Sequence, residues 1–381
     1  MTMIPDYATR QRLLSRVIQL QDAESAPDDP KALKRLILNV VLEHYSSTRL
    51  GLVEIQTIVE RLYAAMRGLD LLQPLMEDDA VTEIMVNGPK QIFIERGGRI
   101  LPWEDRFDHA EHLTAMISRF FGLANRLINE RHPIGDMRLP DGGRLHAVLP
   151  PAAPEGPVLS IRKFTGIRPD IDALLAGRFL TPDMASLLAD AVRNRRNIFI
   201  SGGTGTGKTT FLNALTSYIP AEERVVTIED SAELDLQNQP NQVRLEARPP
   251  APDGSGELTL SDLIRSALRM RPDRILVGEV RGREVFPMLQ AMNTGHPGSM
   301  STGHANSAQE MLQRLGLLVL LEVSLPWDAI VRLVSTALDL IVQLERTPDG
   351  QRRVAEISRV GTPEGMMFRL EVIASRCGGA P

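Results

Sequence analysis

The chain has 381 residues, 43% of them hydrophobic, a single cysteine and a formal charge of −5. That length exceeds what one compact core holds and points to two or three domains. The lone Cys377 excludes an internal disulfide framework and a cysteine-ligated zinc site, and the net negative charge gives no electrostatic ground for nucleic-acid binding by the whole chain.

In chain order, residues 1–30 are polar and end in Glu-Ser-Ala-Pro-Asp-Asp-Pro, the composition of a flexible tail. Residues 31–75 read as a small helical module. Apolar positions at 33, 36, 37, 40 and 41 form one helical stripe, and Ile55, Ile58, Val59, Leu62, Tyr63 and Met66 form a second. From Val81 the period changes to that of strands. Val81–Asn87 and Ile92–Glu95, separated by Gly88-Pro89, predict a hairpin. A helix near 108–122 and strands at Arg144–Leu149 and Val158–Phe164 complete an α+β domain over 76–164. Gly166, Pro169 and Gly177 mark 165–180 as a hinge linker.

Beyond a helix starting at Pro182, residues 181–381 alternate. Strands are expected at 197–202, 224–229, 274–279 and 298–303; helices at 207–218, 261–269, 283–293, 307–321 and 327–338. This is the pattern of an α/β fold with a mainly parallel sheet covered on both faces. A Pro- and Gly-rich loop is expected at Arg248–Glu257. An antiparallel meander is expected from Leu340–Leu344, Arg353–Val360 and Met366–Ile373. The apolar run Leu315–Leu321 is closed by Arg314 and Glu322 and is too short to span a bilayer. The N-terminus lacks the apolar segment of a signal peptide, so a cytoplasmic location is expected, with any membrane contact made through partners.

The most specific signal is Gly202-Gly203-Thr204-Gly205-Thr206-Gly207-Lys208-Thr209, directly after the apolar run Asn197–Ile200. Strand, glycine-rich turn and helix in this order form a phosphate-binding loop. Backbone N–H groups can surround a polyphosphate only where side chains do not intervene. Lys208 would reach the β and γ phosphates and the Thr209 hydroxyl would hold Mg²⁺, while the helix that continues through Thr210 points its positive end at the anion.

Phosphoryl transfer to water also needs a metal clamp, a group that orients or deprotonates water, and positive charge. Glu229 and Asp230 end one predicted strand, Glu279 the next and His304 a third. In a parallel sheet these ends share the edge that carries the phosphate loop. Arg138, Arg144 and Arg162, around the turn Pro140-Asp141-Gly142-Gly143, are candidates for charge supplied to the γ-phosphate.

The stretches VTEIMVNGP (81–89), RLPDGGRLHAVLPP (138–151), SIRKF (160–164), SGGTGTGKTTFLNAL (201–215), TIEDSAEL (227–234), RLEARPP (244–250), LRMRPDRILVGEVRGRE (268–284) and LQAMNTGHPGSMSTGHANS (289–307) occur in order. On these stretches the chain resembles the secretion ATPases of the type II/type IV superfamily, and most closely the Flp/Tad pilus assembly ATPases of the CpaF/TadA type. The resemblance runs from about Leu69 to Arg359. It implies a RecA-like P-loop NTPase domain, a homohexamer, and ATP lying between the two domains of each subunit. By the same resemblance Lys208 and Thr209 are the Walker A lysine and Mg²⁺ hydroxyl, and Glu229 lies in the Asp box with Glu233 further along. Glu279 is the Walker B glutamate, assigned to Mg²⁺ and water positioning with Glu229 as base. His304 is the His-box histidine, with His296 a weaker second. Arg138, Arg144 and Arg162 match arginines that approach the phosphates. The single cysteine argues against the branch that carries a zinc insertion.

Two departures stand out. Gly303 replaces a larger aliphatic residue, which is expected to loosen that strand end, and Pro287 falls in the first turns of a helix. The implied function is mechanical work at an inner-membrane platform that moves pilin, with ATP and Mg as cofactors. The alternatives are a type IV secretion translocation ATPase, a pilus retraction motor, or a nucleotide-gated scaffold without turnover.

Overall fold

A computed structural model describes residues 5–24, 29–48, 50–124, 126–163, 169–250 and 254–376. The chain divides into two compact units, Met1–Thr165 and Gly166–Pro381.

The first unit opens with three helices, α1 (Tyr7–Glu24), α2 (Pro30–His44) and α3 (Leu52–Arg67). Asp29 caps α2 by accepting from Ala32 N at 3.0 Å, and Pro30 takes the first helical position, where no N–H is needed. Leu13 and Val17 of α1 are buried with Ile37, Val41, Ile58 and Leu62. The tail expected over 1–30 is therefore mostly helix. Its apolar stripe is only about one side chain per turn wide, which hid it in a polar composition. Residues 1–4 and 25–28 of that expected tail lie outside the described residues.

After α4 (Gln73–Glu77) come β1 (Val81–Asn87), β2 (Ile92–Arg96), β3 (Arg99–Trp103), α5 (Ala110–Leu123), β4 (Ile134–Arg138), β5 (Arg144–Val148) and β6 (Val158–Arg162). They form one antiparallel sheet of order β3-β2-β1-β6-β5-β4. The inward residues Ile84, Val86, Leu145, Leu159 and Ile161 bury against Leu113, Ile117 and Phe121 of α5. β3 and β4 lack clean alternation, and neither was expected from the sequence.

The second unit begins with α6 (Ile171–Ala176) and α7 (Pro182–Arg193). A helix thus occupies much of the expected hinge, anchored by Ile171 and Leu174, which are 7% exposed. Residues 165–168 of that hinge lie outside the described residues. Then follow β7 (Ile198–Gly202), α8 (Lys208–Leu215), β8 (Val225–Glu229), β9 (Gln242–Glu246), α9 (Leu260–Ala267), β10 (Arg274–Val277), α10 (Val285–Asn293), β11 (Met300–Gly303), α11 (Ala308–Val319), α12 (Trp327–Ala337), β12 (Leu340–Arg346), β13 (Arg352–Glu364) and β14 (Met367–Ser375).

These strands form a sheet of order β14-β13-β12-β7-β11-β10-β8-β9. From β12 to β9 the neighbours are parallel. β12 pairs parallel with β7 and antiparallel with β13, so the first strand of the expected meander is a member of the parallel sheet. Alternate residues fill the two faces. Phe199, Ile228, Val277 and Ile341 pack with Ile264, Leu289, Leu312 and Val331 on one side. Ile198, Ile200, Leu276 and Val342 pack with Leu188, Phe211 and Leu215 on the other. Burial on both faces is why these strands read as continuous apolar runs. Pro287 is the third residue of α10, where its missing N–H has no intrahelical acceptor to lose. At the sheet edge opposite the strand C-termini, the fully buried Arg274 donates to Glu223 at 2.6 and 3.1 Å.

No helix among the described residues is long and apolar enough to cross a membrane.

Candidate active site

The connection from β7 to α8 is the glycine-rich segment Gly202–Gly207. Gly207 has φ 90° and caps α8, so the turn requires a residue that adopts the left-handed region at no steric cost. Lys208 opens the helix and its Nζ donates to Gly202 O at 3.1 Å and Gly203 O at 3.0 Å. Thr209 is half-buried and Thr210 exposed in the first turn, while Thr206 donates to Gly203 O at 2.9 Å. The loop residues Thr204 and Gly205 are exposed. A helix start, whose first N–H groups have no intrahelical acceptor, fronted by a glycine turn and a lysine, fits a phosphate chain.

β11 is inserted between β7 and β10, so His304, just past its end, stands beside the phosphate loop. Glu279 follows β10, and its Oε1 lies 4.0 Å from Lys208 Nζ. Burial first, then the Lys208 ammonium, holds the His304 imidazole below its ordinary pKa. Gly303 does not loosen the strand end. A Cβ there would lie 2.8 Å from the Phe199 ring and 3.0 Å from the Met311 methyl, so those side chains fill the space a larger residue would take.

Glu229 ends β8 and is 3% exposed. Its carboxylate accepts from Glu233 N at 3.0 Å and from Leu234 N at 3.1 and 3.2 Å. Burial nevertheless outweighs those bonds and pushes the carboxyl up to about 7. Asn213 of α8 accepts from Asp235 N at 2.8 Å, which ties the acidic segment to the phosphate-loop helix.

Lys208, Glu279, His304 and Glu229 therefore share one edge of the sheet. His296 does not join them. It precedes β11, and Gly298 nearby bonds Asn197 at the opposite edge. In the first unit, Arg138 pairs with Arg144 across β4 and β5, and Arg144 with Arg162 across β5 and β6. The three arginines form one cross-strand row, which ends on Glu83, 3.9 Å from Arg162.

Among the described residues no group of three or more His, Cys, Asp or Glu could hold a metal ion. Thr209 with Glu279 fits a cation that arrives with a nucleotide and keeps phosphate and water ligands, the habit of Mg²⁺.

Sequence reasoning missed Arg281, whose Nη2 donates to Glu279 Oε2 at 2.6 Å, and Glu284, whose Oε1 accepts from Gly282 N at 2.7 Å. The signal available was their position two and five residues after Glu279, too close for a strand-ending acid to be read without its neighbours.

Fold and loop together define a P-loop ATPase with a RecA-like nucleotide-binding unit. Residues 66–369 match the family described as Type II/IV secretion system protein, and the chain belongs to that family. It is 37% identical over 329 residues to a putative conjugal transfer protein of Mycobacterium tuberculosis, covering 85% of this chain and 93% of the relative. It is 32% identical to the type IV secretion system protein VirB11 of Brucella suis, covering 79% and 92%. Among solved structures, the ATPase DotB of Legionella pneumophila aligns with TM-score 0.53 at 22% identity, over 76% of this chain and 79% of that one. The pilus retraction motor PilT with bound ADP aligns with TM-score 0.54 at 20% identity, over 81% and 83%. At these identities the two structures bear on the fold alone.

Proposed function

We propose that the protein hydrolyses Mg·ATP at the edge formed by Lys208, Glu229, Glu279 and His304, and converts the cleavage into mechanical work for Flp/Tad pilus assembly. The observation that carries the enzymatic part is the approach of Glu279 to Lys208 at 4.0 Å, beside a buried Glu229 with its carboxyl raised to about 7.

The N–H groups of Gly203–Thr210 cradle the phosphates and Lys208 exchanges its loop carbonyls for β and γ oxygens. Thr209 and Glu279 would hold the cation, which would neutralise phosphate charge. Glu229 accepts the proton of the attacking water as the water oxygen bonds to the γ-phosphorus. The bond to the β,γ-bridging oxygen breaks with its electron pair, and ADP leaves. A carboxyl near 7 suits a base working near neutrality. Neutral at that pH, His304 contacts the γ-phosphate by hydrogen bond. By the motif resemblance, Arg138, Arg144 and Arg162 are candidates for further positive charge at the phosphates. A scaffold that only bound nucleotide would have no use for Glu229 and His304.

The homohexamer, the inner-membrane platform and the pilin cargo rest on the motif resemblance to the Flp/Tad branch. A second reading, translocation by a type IV secretion system, is favoured by the names of the relatives, a conjugal transfer protein and VirB11. Deleting the gene separates the two: loss of surface pili with intact DNA or effector transfer supports the first, and the reverse supports the second. For the enzymatic part, Lys208→Ala is expected to abolish ATP turnover; a variant that hydrolyses ATP at the wild-type rate refutes the site.

A further inference from the structure

Glu279 has a cation facing each carboxylate oxygen, and the two contacts differ in kind. Arg281 Nη2 donates to Oε2 at 2.6 Å, a charge-assisted hydrogen bond, whereas Lys208 Nζ stands 4.0 Å from Oε1, beyond hydrogen-bond reach. Arg281 owes its place to the turn after β10. Glu284 Oε1 accepts from the backbone N–H of Arg281 at 2.5 Å and of Gly282 at 2.7 Å, so the turn is pinned at the start of α10. The Arg281 side chain is 62% exposed, yet its pairing with Glu279 is the shorter of the two. It lines an open cavity of about 760 Å³ together with Asp230 and Arg283. Other guanidinium groups of that cavity are engaged elsewhere: Arg265 donates to Glu322 at 2.9 Å, and Arg283 lies 3.9 Å from the same carboxylate.

Loss of Arg281 would remove the hydrogen bond at Oε2 that draws the Glu279 carboxylate away from Lys208. A carboxylate 4.0 Å from an ammonium stands about 1.2 Å short of the ~2.8 Å of a direct ion pair. Such a pair would have to be broken by every incoming phosphate, and a half-buried pair is costly to break.

We propose that Arg281 is a positioning residue that holds the Glu279 carboxylate off Lys208, so that nucleotide binding does not have to break a Lys208–Glu279 ion pair. This rests on the reading of Lys208 as a phosphate ligand. Arg281 acts through Glu279.

The test is equilibrium binding of a fluorescent ATP analogue with Mg²⁺ to the full chain, in a double-mutant cycle. Arg281→Ala is expected to weaken binding about tenfold, while in a Glu279→Gln background the same substitution changes affinity by less than about twofold, a coupling typical of contacting charges. Arg281→Lys, which keeps a cation near Oε2, is expected to recover part of the loss. Equal losses in both backgrounds would mean that Arg281 acts directly on the nucleotide or through the fold, and no loss in Arg281→Ala would mean that it does not restrain Glu279. Either result overturns the proposal. Lys208→Ala is measured alongside. If it binds the analogue normally, the phosphate-loop reading fails on its own account, whatever the cycle shows.

Discussion

The Glu229 side chain occupies the space beside Gly278 that a Cβ would need: an added Cβ would lie 2.9 Å from Glu229 Cγ and 3.3 Å from its Oε1. Gly278 N also donates to Ile228 O at 2.9 Å, and Thr302 donates to Gly278 O at 2.7 Å, so this backbone cannot retreat. The glycine preceding Glu279 is thus explained by the second glutamate. Gly278→Ala is expected to displace the Glu229 carboxylate and lower kcat about 10²-fold, the scale of a ~1 Å misplacement, with ATP affinity nearly unchanged. Steady-state kinetics with thermal melting checks this; a folded variant with wild-type kcat would show that Glu229 is not a catalytic group.

The raised Glu229 carboxyl gives two pH signatures. As a base it must be ionised, so kcat is expected to rise with pH through an inflection near 7 and to be low and without that limb in Glu229→Gln. For stability the sign is opposite. The native state holds this proton more tightly than the unfolded chain between 4.5 and about 7, so stability falls as pH rises through that window. The interval corresponds to roughly 3 kcal/mol. Denaturant melts of wild type and Glu229→Gln at pH 5 and pH 8 check it: the variant should gain relative stability at pH 8.

The arginine row separates binding from folding. Arg144 has a like charge opposite it on both neighbouring strands. Arg144→Gln is expected to change folding stability by no more than about 1 kcal/mol. The ATP KM is expected to rise about tenfold, the size of one lost charge-assisted contact. Melting temperature and KM are measured on one preparation; an unchanged KM, or a rise in KM that comes with a large fall in melting temperature, would contradict the assignment.

The buried pair Arg274–Glu223 lies at the edge away from the candidate active site. Glu223→Gln is expected to cost about 3–5 kcal/mol by stranding a buried guanidinium, whereas replacing both residues by apolar ones of similar volume should cost far less. Urea unfolding of the single and double variants distinguishes the two. ATP affinity of the folded fraction should not change.

The phosphate loop, Glu229, Glu279 and His304 were legible because each requirement is local: a glycine turn, or a polar residue closing an apolar strand. The parallel order of β12 beside β7 was not, because pairing across more than a hundred residues leaves no trace in a strand's own pattern. Helix α1 was missed because Leu13 and Val17 carry its burial nearly alone. The Gly303 expectation failed because the volume is supplied by Phe199 and Met311, which no reading of the strand end reveals. Arg281 went unassigned because its significance lies in the distance between Glu279 and Lys208, a purely three-dimensional quantity.

The most direct measurement is a structure of the full chain with Mg²⁺ and a non-hydrolysable ATP analogue. The expected result places the β and γ phosphates on the N–H groups of Gly203–Thr210 and the cation against Thr209. Glu229, Glu279 and His304 should each lie within about 3 Å of the γ-phosphate, the cation or one bridging water. An analogue bound elsewhere, or a γ-phosphate that Glu229 and Glu279 cannot reach even through a water, would contradict the assignment of this edge as the place where ATP is cleaved.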